Sequence, residues 1–465
     1  MRRFLLLAAA GAALSFAAAA HADPVRATAE GLRDKALAGS GAWEIVESLT
    51  TEIGGRPTGS PAMERAKDWG VAKLKALGFE NVHVEPFVKQ NAWLRGPESA
   101  SVTLPYPHKL SILGLGNSVA TPAAGIEAEI VVFDSLNDML AAPAGSLSGK
   151  IAVVNQPMVR TQTGEGYGAA VRARSGASEA ARRGAVAYLT RSISTGDSNQ
   201  PHTGAMQYAD GVAKIPTAAL GVPDADLLAR LYKRGKPVKV KLNLASTVIA
   251  QAPAWNIVGE IKGREKPDEV IVIGGHLDSW DPAEGAIDDG AGVAITTAAA
   301  KLIGDLPQRP RRTIRVVMWG SEETGGAGEA YAEAHKNEVA KMVLAGESDL
   351  GGGRLFKVDL PKGAAADPAM AALPSILAPL KIVVTREAAR FAGSDVEGLE
   401  ALGVPVASLY NDASHYFDLH HSADDTLDKV DRGDLDQNVA AWAALLYLAA
   451  ESDVDFRNPR AAAKK

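Results

Sequence analysis

The chain contains no cysteine. That absence excludes disulfides, thiolate catalysis and thiolate metal ligands, so any metal held here must use His, Asp and Glu. An excess of one charge is also missing. The 49 Lys and Arg against 55 Asp and Glu leave a mild net charge of −6, spread along the chain. Such a balance offers no footing for nucleic acid or for an anionic membrane. No internal repeat and no long low-complexity linker occurs. A run long enough to span a membrane is absent too: the apolar stretch after Arg2-Arg3 is too short and too Ala-rich. It ends at Ala20-His21-Ala22, a small-x-small pattern before Asp23, and reads as a secretory signal peptide over 1–22. The rest of a twin-arginine motif is missing, and no cysteine follows to carry a lipid. A secreted or periplasmic protein is expected, large enough for more than one domain.

What is present is concentrated in four fragments. Glu269-Val-Ile-Val-Ile273 is an apolar run of the kind found in buried parallel strands, and it leads into Gly274-Gly-His276-Leu-Asp278. Asp288-Asp289 follow in a Gly-rich turn, before an apolar, Ala-rich helix over Val293–Ile303. His276 and Asp288 are twelve residues apart, too far for one helix face, so only a loop can bring them together. A second strand, Thr313 to Trp319, runs into Gly-Ser-Glu322-Glu323. A third, from Met342, ends in Glu347-Ser-Asp349. The fourth fragment, His415 to Thr426, holds His420-His421 and Asp424-Asp425. Each fragment alone is a weak signal, and a loop His with nearby carboxylates is more often a polar turn than a metal site. Side chains just beyond strand ends, however, sit where open α/β sheets build their sites. Two imidazoles and three carboxylates with one spare Glu suit zinc, which takes N and O ligands in four- or five-coordination.

In this order, H-x-D, DDG, EE, ESD and HHSxxDT, the chain resembles the co-catalytic zinc aminopeptidase and glutamate carboxypeptidase superfamily. Segments such as KLSILGLGNSVATP, GKIAVVNQP and PHTGAMQYADGVAKIPTA extend the similarity over nearly the whole mature chain. The resemblance implies two Zn2+ ions. One would be bound by His276 and Asp349 and the other by Glu323 and His421, with Asp288 bridging both. It implies Glu322 as the general base, taking a proton from the attacking water and returning it to the leaving amine. Asp278 would accept the other N–H of His276 and fix its tautomer. Asp289, Glu347 and Asp425 fall outside the ligand set, and His420 is the nearest competitor of His421. Some superfamily members use a Tyr as oxyanion donor from the loop matching Phe391–Asp395, which has none here. Tyr410, His415 and Tyr416 stay open for that role.

The rest of the chain frames these motifs. A helix is expected over Glu44–Ile53. A second, capped by Ser60 with Pro61 at its first position, should run to about Leu77 and stop at Gly78. Val82–Phe87 alternates like a strand, and Trp93–Pro107 reads as an irregular surface loop. From Ser111 the character changes. Short strands at 127–133, 150–155, 185–190 and 217–222 enclose one helix, 177–183, with no metal-type cluster, and His202 stands isolated as a packed loop residue. By resemblance this part is a protease-associated domain. The expected architecture is α/β: a largely parallel sheet flanked by helices over 23–110 and 252–465, with the β-rich insert at 111–251. A last helix should span 437–450 and the tail 460–465 should fray.

The reading is a secreted or periplasmic di-zinc exopeptidase acting on dipeptides or short peptides with free termini. Neither nucleic acid nor membrane is expected as a partner, and a homodimer is allowed by the resemblance. The rival is a receptor-like protein on the same fold. Such members have lost metal ligands, whereas all five are present here. A glutaminyl cyclase-like transferase uses a related fold with one zinc.

Overall fold

The computed structural model describes residues 23–457. The signal peptide expected at 1–22 and the tail at 460–465 lie outside the described residues. One long sheet organises the fold. Its strands run, edge to edge, Met342–Glu347, Lys266–His276, Arg312–Trp319, Lys239–Ile261, Ile126–Phe133, Ile151–Val154, Ala187–Arg191, Thr217–Leu220 and Ile112–Gly114. The sheet is parallel around Lys266–His276 and around Ile151–Val154, and the edge strand Ile112–Gly114 joins Thr217–Leu220 antiparallel. Between them Lys239–Ile261 pairs antiparallel with Arg312–Trp319, with Ile126–Phe133 and with Glu80–Leu104.

The strands Glu80–Leu104 and Lys239–Ile261, 25 and 23 residues long, pair along nearly their whole length. They are several times longer than the common strand of about five or six residues. They carry the ladder through 252 without a break, so residues on both sides of the boundary expected at 251/252 share one sheet. Trp93–Pro107, expected as a surface loop, is mostly strand, and Trp93 is buried. The register shift between Arg95 and Glu98 interrupts the local alternation, and the pairing partner lies some 150 residues away. The sequence pattern there could not show it.

Within 111–251 both faces of the sheet are covered. Ile151, Val153, Ala187, Leu189, Ala218 and Leu220 point into one core. Ala152, Val154, Tyr188 and Ala219, the alternate residues, point into the main core on the other side. Helices Leu136–Ala141, Gly166–Ala170, Gly176–Arg182 and Val222–Tyr232 supply cover, where one helix was expected. The extra ones are short or begin where an apolar strand had been read to end.

The helix predictions near the site hold. Ser60 Oγ accepts from the Met63 N–H, Pro61 opens the helix Pro61–Ala76, and Gly78 takes φ +82° beyond it. Ala42–Glu52 and Arg432–Glu451 complete the expected helices, the latter starting five residues earlier than read because Asp431 caps it through the Asp434 N–H. Arg432–Glu451 and Ala291–Gly304 pack together and are almost wholly buried. Among the described residues no helix is long and apolar enough to cross a membrane.

Candidate metal centre

Three parallel strands end side by side. Trp319 stands opposite His276, and Glu347 opposite Gly274. The motifs that leave these strands therefore emerge together at one rim. His276 is the last residue of its strand rather than the first beyond it. The loop from His276 to Asp288 is drawn back by Arg56, from the Gly54–Gly59 turn. Its fully buried guanidinium donates to the carbonyls of Leu277, Glu284 (2.6 Å) and Gly285 (3.0 Å). Asp425 Oδ1 accepts the Ile287 N–H at 2.5 Å and its Oδ2 the Asp288 N–H at 3.2 Å. Asp289 accepts the His276 N–H and the Gly292 N–H, each at 3.0 Å. These buried contacts aim the Asp288 carboxylate.

Asp288 stands between two imidazoles. Its Oδ1 lies 3.1 Å from His276 Nε2, and its Oδ2 lies 3.1 Å from His421 Nε2. Asp349 Oδ1 is 3.4 Å from His276 Nε2, and Glu323 Oε2 is 2.9 Å from His421 Nε2. In tetrahedral zinc with bonds of 2.0–2.1 Å, neighbouring donor atoms stand about 3.3 Å apart. His420 Nε2 is farther off, 3.7 Å from Asp288 Oδ2, and its ring stacks on His421 at 3.5 Å. His420 can reach the same oxygen, but only His421 meets two carboxylates.

The electrostatics ask for a cation. Among the described residues Glu323 Oε1, Glu347 Oε1 and Asp395 Oδ2 are buried without a hydrogen-bond partner. Burial pushes the carboxyls of Asp289, Glu322, Glu347, Asp349 and Asp395 up, and crowding by neighbouring carboxylates adds to it. Burial also works to raise Asp288, but His276 and His421 prevail and hold it well below the usual carboxylate range. Arg56, a buried cation nearby, is spent on backbone carbonyls, and Arg174, also buried, faces His421 and not the carboxylates. Buried acids left unpaired in this number are costly, and divalent ions between the imidazoles would satisfy the orphaned oxygens.

Glu322 and Glu323 divide by position. Glu323 faces His421, whereas the half-buried Glu322 carboxylate has no hydrogen bond among the described residues. Asp278 supports both in a way the sequence reading missed. Its carboxylate accepts the Glu322 N–H (2.9 Å), the Glu323 N–H (3.3 Å) and the Thr58 hydroxyl (3.0 Å). His276 Nδ1 is instead held by the Asp278 backbone carbonyl at 2.9 Å, with the carboxylate at 3.6 Å. Lys89 grips the other side of the Glu322 turn through the carbonyls of Thr324 and Gly325. Arg56, Thr58, Lys89 and Asp395 carried no local signal in the sequence. Each lies in a turn or strand that only folding brings to the rim. Glu347 Oε2 accepts the Asp395 N–H at 2.9 Å, and His202 is buried against the His420 carbonyl. Of the three candidates for oxyanion donor, Tyr416 alone packs on the metal loop, 5.0 Å from the His420 ring. Tyr410 lies under Lys357 on the small Leu355–Leu360 sheet, and His415 is exposed beside Asp418.

Residues 256–446 match the model of Peptidase family M28. Carboxypeptidase Q of Bos taurus is 40% identical over 417 residues, covering 88% of this chain and 85% of the relative. The chain belongs to peptidase family M28. The Homo sapiens carboxypeptidase Q is 38% identical over 413 residues, with the same coverage. The solved Peptidase M28 precursor from Shewanella amazonensis SB2B superposes with a TM-score of 0.89 at 46% identity, covering 93% of this chain and 98% of that one. A zinc aminopeptidase from Bacillus subtilis shares the fold, with a TM-score of 0.65 at 17% identity over 89% of this chain and 98% of that one. Membership in M28 makes the chain a zinc metallopeptidase.

Proposed function

We propose that this M28 member is an exported exopeptidase that hydrolyses dipeptides and short peptides with free termini, using two zinc ions. The observation that carries the reading is the Asp288 carboxylate with one oxygen on His276 and the other on His421. His276 and Asp349 would hold one ion, Glu323 and His421 the other, and Asp288 would bridge. When bound, the ions supply Lewis-acid polarisation of the scissile carbonyl and an electrostatic sink for the oxyanion. Glu322 accepts the proton of the attacking water and delivers it to the leaving amine. Its carboxylate is free for this because no side chain holds it among the described residues, and burial raises its pKa. Asp278 keeps Glu322 in place through its backbone N–H. Tyr416, whose ring packs 5.0 Å from the His420 ring, would offer its hydroxyl as the hydrogen-bond donor to the oxyanion.

The preference for dipeptides is supported by the likeness to carboxypeptidase Q, and export by the leader read in the sequence. Residues 111–251 would act as a protease-associated domain that roofs the site. The test is a dipeptide library assayed with zinc, alongside N-acetylated and C-amidated controls, with elemental analysis of the purified protein. Two zinc ions per chain and loss of cleavage on blocking a terminus are expected. A metal-free chain that cleaves nothing would mark a binding protein on the same fold.

A further inference from the structure

The metal-binding loop is not held by its own lobe alone. His421 sits at φ +62°, in the left-handed region that side chains other than glycine seldom occupy. Something outside the residue must keep it there. The Pro201–Gly204 segment of the insert runs beside His420-His421. The Thr203 N–H donates to the His421 carbonyl at 2.9 Å. His202 Nδ1 lies 2.6 Å from the carbonyl of His420. His202 is itself fixed, its N–H donating to Ser192 Oγ at 2.8 Å. Thr203 is anchored by its hydroxyl, which donates to the Gly114 carbonyl at 2.8 Å and accepts from Arg95 Nη2 at 3.1 Å.

The tautomer of His421 follows from the same contacts. With Nε2 turned to Asp288 and Glu323, a neutral ligand must carry its proton on Nδ1. Two groups face Nδ1 at 3.3 Å, the Thr203 carbonyl and Arg174 Nη2. Arg174 only donates and cannot receive that proton. The Thr203 carbonyl can. Arg174 instead donates to the Tyr167 hydroxyl at 2.7 Å and lies over the Tyr167 ring.

We infer that His202 and the Thr203 backbone, from the inserted lobe, are the positioning element for the metal-binding His421. The insert is thus part of the metal site and not only its roof. The inference rests on the two-ion reading above. The second ion is the one it controls. A hydrogen-bonding partner one step behind a metal ligand typically controls metal affinity by about 10–100-fold.

The test uses the full mature protein and zinc itself, with elemental analysis and competition against a chelator of known affinity. Wild type, His421→Ala, His202→Leu, His202→Asn and His202→Gln are compared, each checked by thermal unfolding. His202→Leu should bind one ion as wild type does and the other about 10–100-fold more weakly. Turnover should recover in excess zinc with KM unchanged. An Asn amide nitrogen stands where His Nδ1 stands, and a Gln amide where Nε2 stands. His202→Asn should therefore restore the second ion and His202→Gln should not. If His202→Leu does not fold, the Asn and Gln pair decides. Wild-type affinity for both ions in His202→Leu and His202→Gln overturns the inference, and so does an Asn variant as weak as the Gln variant. A wild type holding a single ion overturns the two-ion reading instead. The positioning of His421 then stands only if His421→Ala and the Leu or Gln variant both weaken that ion, and fails otherwise.

Discussion

Replacing Glu322 by Gln separates proton transfer from metal binding. The two side chains have the same shape, and the anchor of this residue is its backbone N–H on Asp278, which the change leaves alone. The Glu322 carboxylate gives up no hydrogen bond, since it makes none among the described residues. Stability should therefore stay within about 0.5 kcal/mol of wild type. Gln can still hydrogen-bond a water but cannot take its proton. General-base assistance is worth roughly 10²–10⁴ in rate, which is about 2.7–5.4 kcal/mol of barrier at about 1.36 kcal/mol per decade. Turnover should fall by that factor, with KM and zinc content near wild type. Glu323→Gln should behave otherwise. That carboxylate stands 2.9 Å from His421 Nε2 with Oε1 buried and unpartnered, so it loses metal first and turnover as a consequence. Steady-state kinetics on a dipeptide and zinc stoichiometry on both variants decide the matter. If Glu322→Gln loses zinc while Glu323→Gln keeps it and loses only turnover, the two roles are exchanged.

Asp288→Ala removes the carboxylate that faces both imidazoles and should strip both ions, which elemental analysis reads; retention of two would refute the bridge. Chelation should lower thermal stability, because buried carboxylates and imidazoles lose their shared cation. Zinc at 100 times Kd should return about 2.7 kcal/mol per ion, read by denaturant unfolding with and without chelator, and an unchanged midpoint would count against the site. Asp278→Asn puts an amide against one of the Glu322 and Glu323 N–H donors. It should cost about 1–3 kcal/mol of stability from the unsatisfied buried group and lower turnover more than zinc content, measured by thermal unfolding and kinetics together.

Much of the site was legible because its residues sit at local, rule-bound places. An apolar run that breaks into Gly-Gly-His276, or into Gly-Ser-Glu322-Glu323, marks a strand end wherever it occurs, and parallel strands put such ends on one rim. The Ser60-Pro61 cap was equally local. Trp93–Pro107 was not, since its structure depends on pairing with Lys239–Ile261 across a register shift. His202 was not legible either: alone in its segment, it became informative only when folding set it on the His420 carbonyl.

The sequence by itself determined the donor chemistry, because without cysteine only imidazole and carboxylate can bind zinc here. It also determined which strands carry those donors. The tertiary structure alone decided which oxygen faces which ring, why His421 rather than His420 meets two carboxylates, and that Asp278 holds the Glu322 turn by its backbone. Those are matters of ångströms between segments far apart in the chain. They are set by buried hydrogen bonds that Arg56 donates, Asp425 accepts and the Thr203 backbone makes, whose partners no local pattern names.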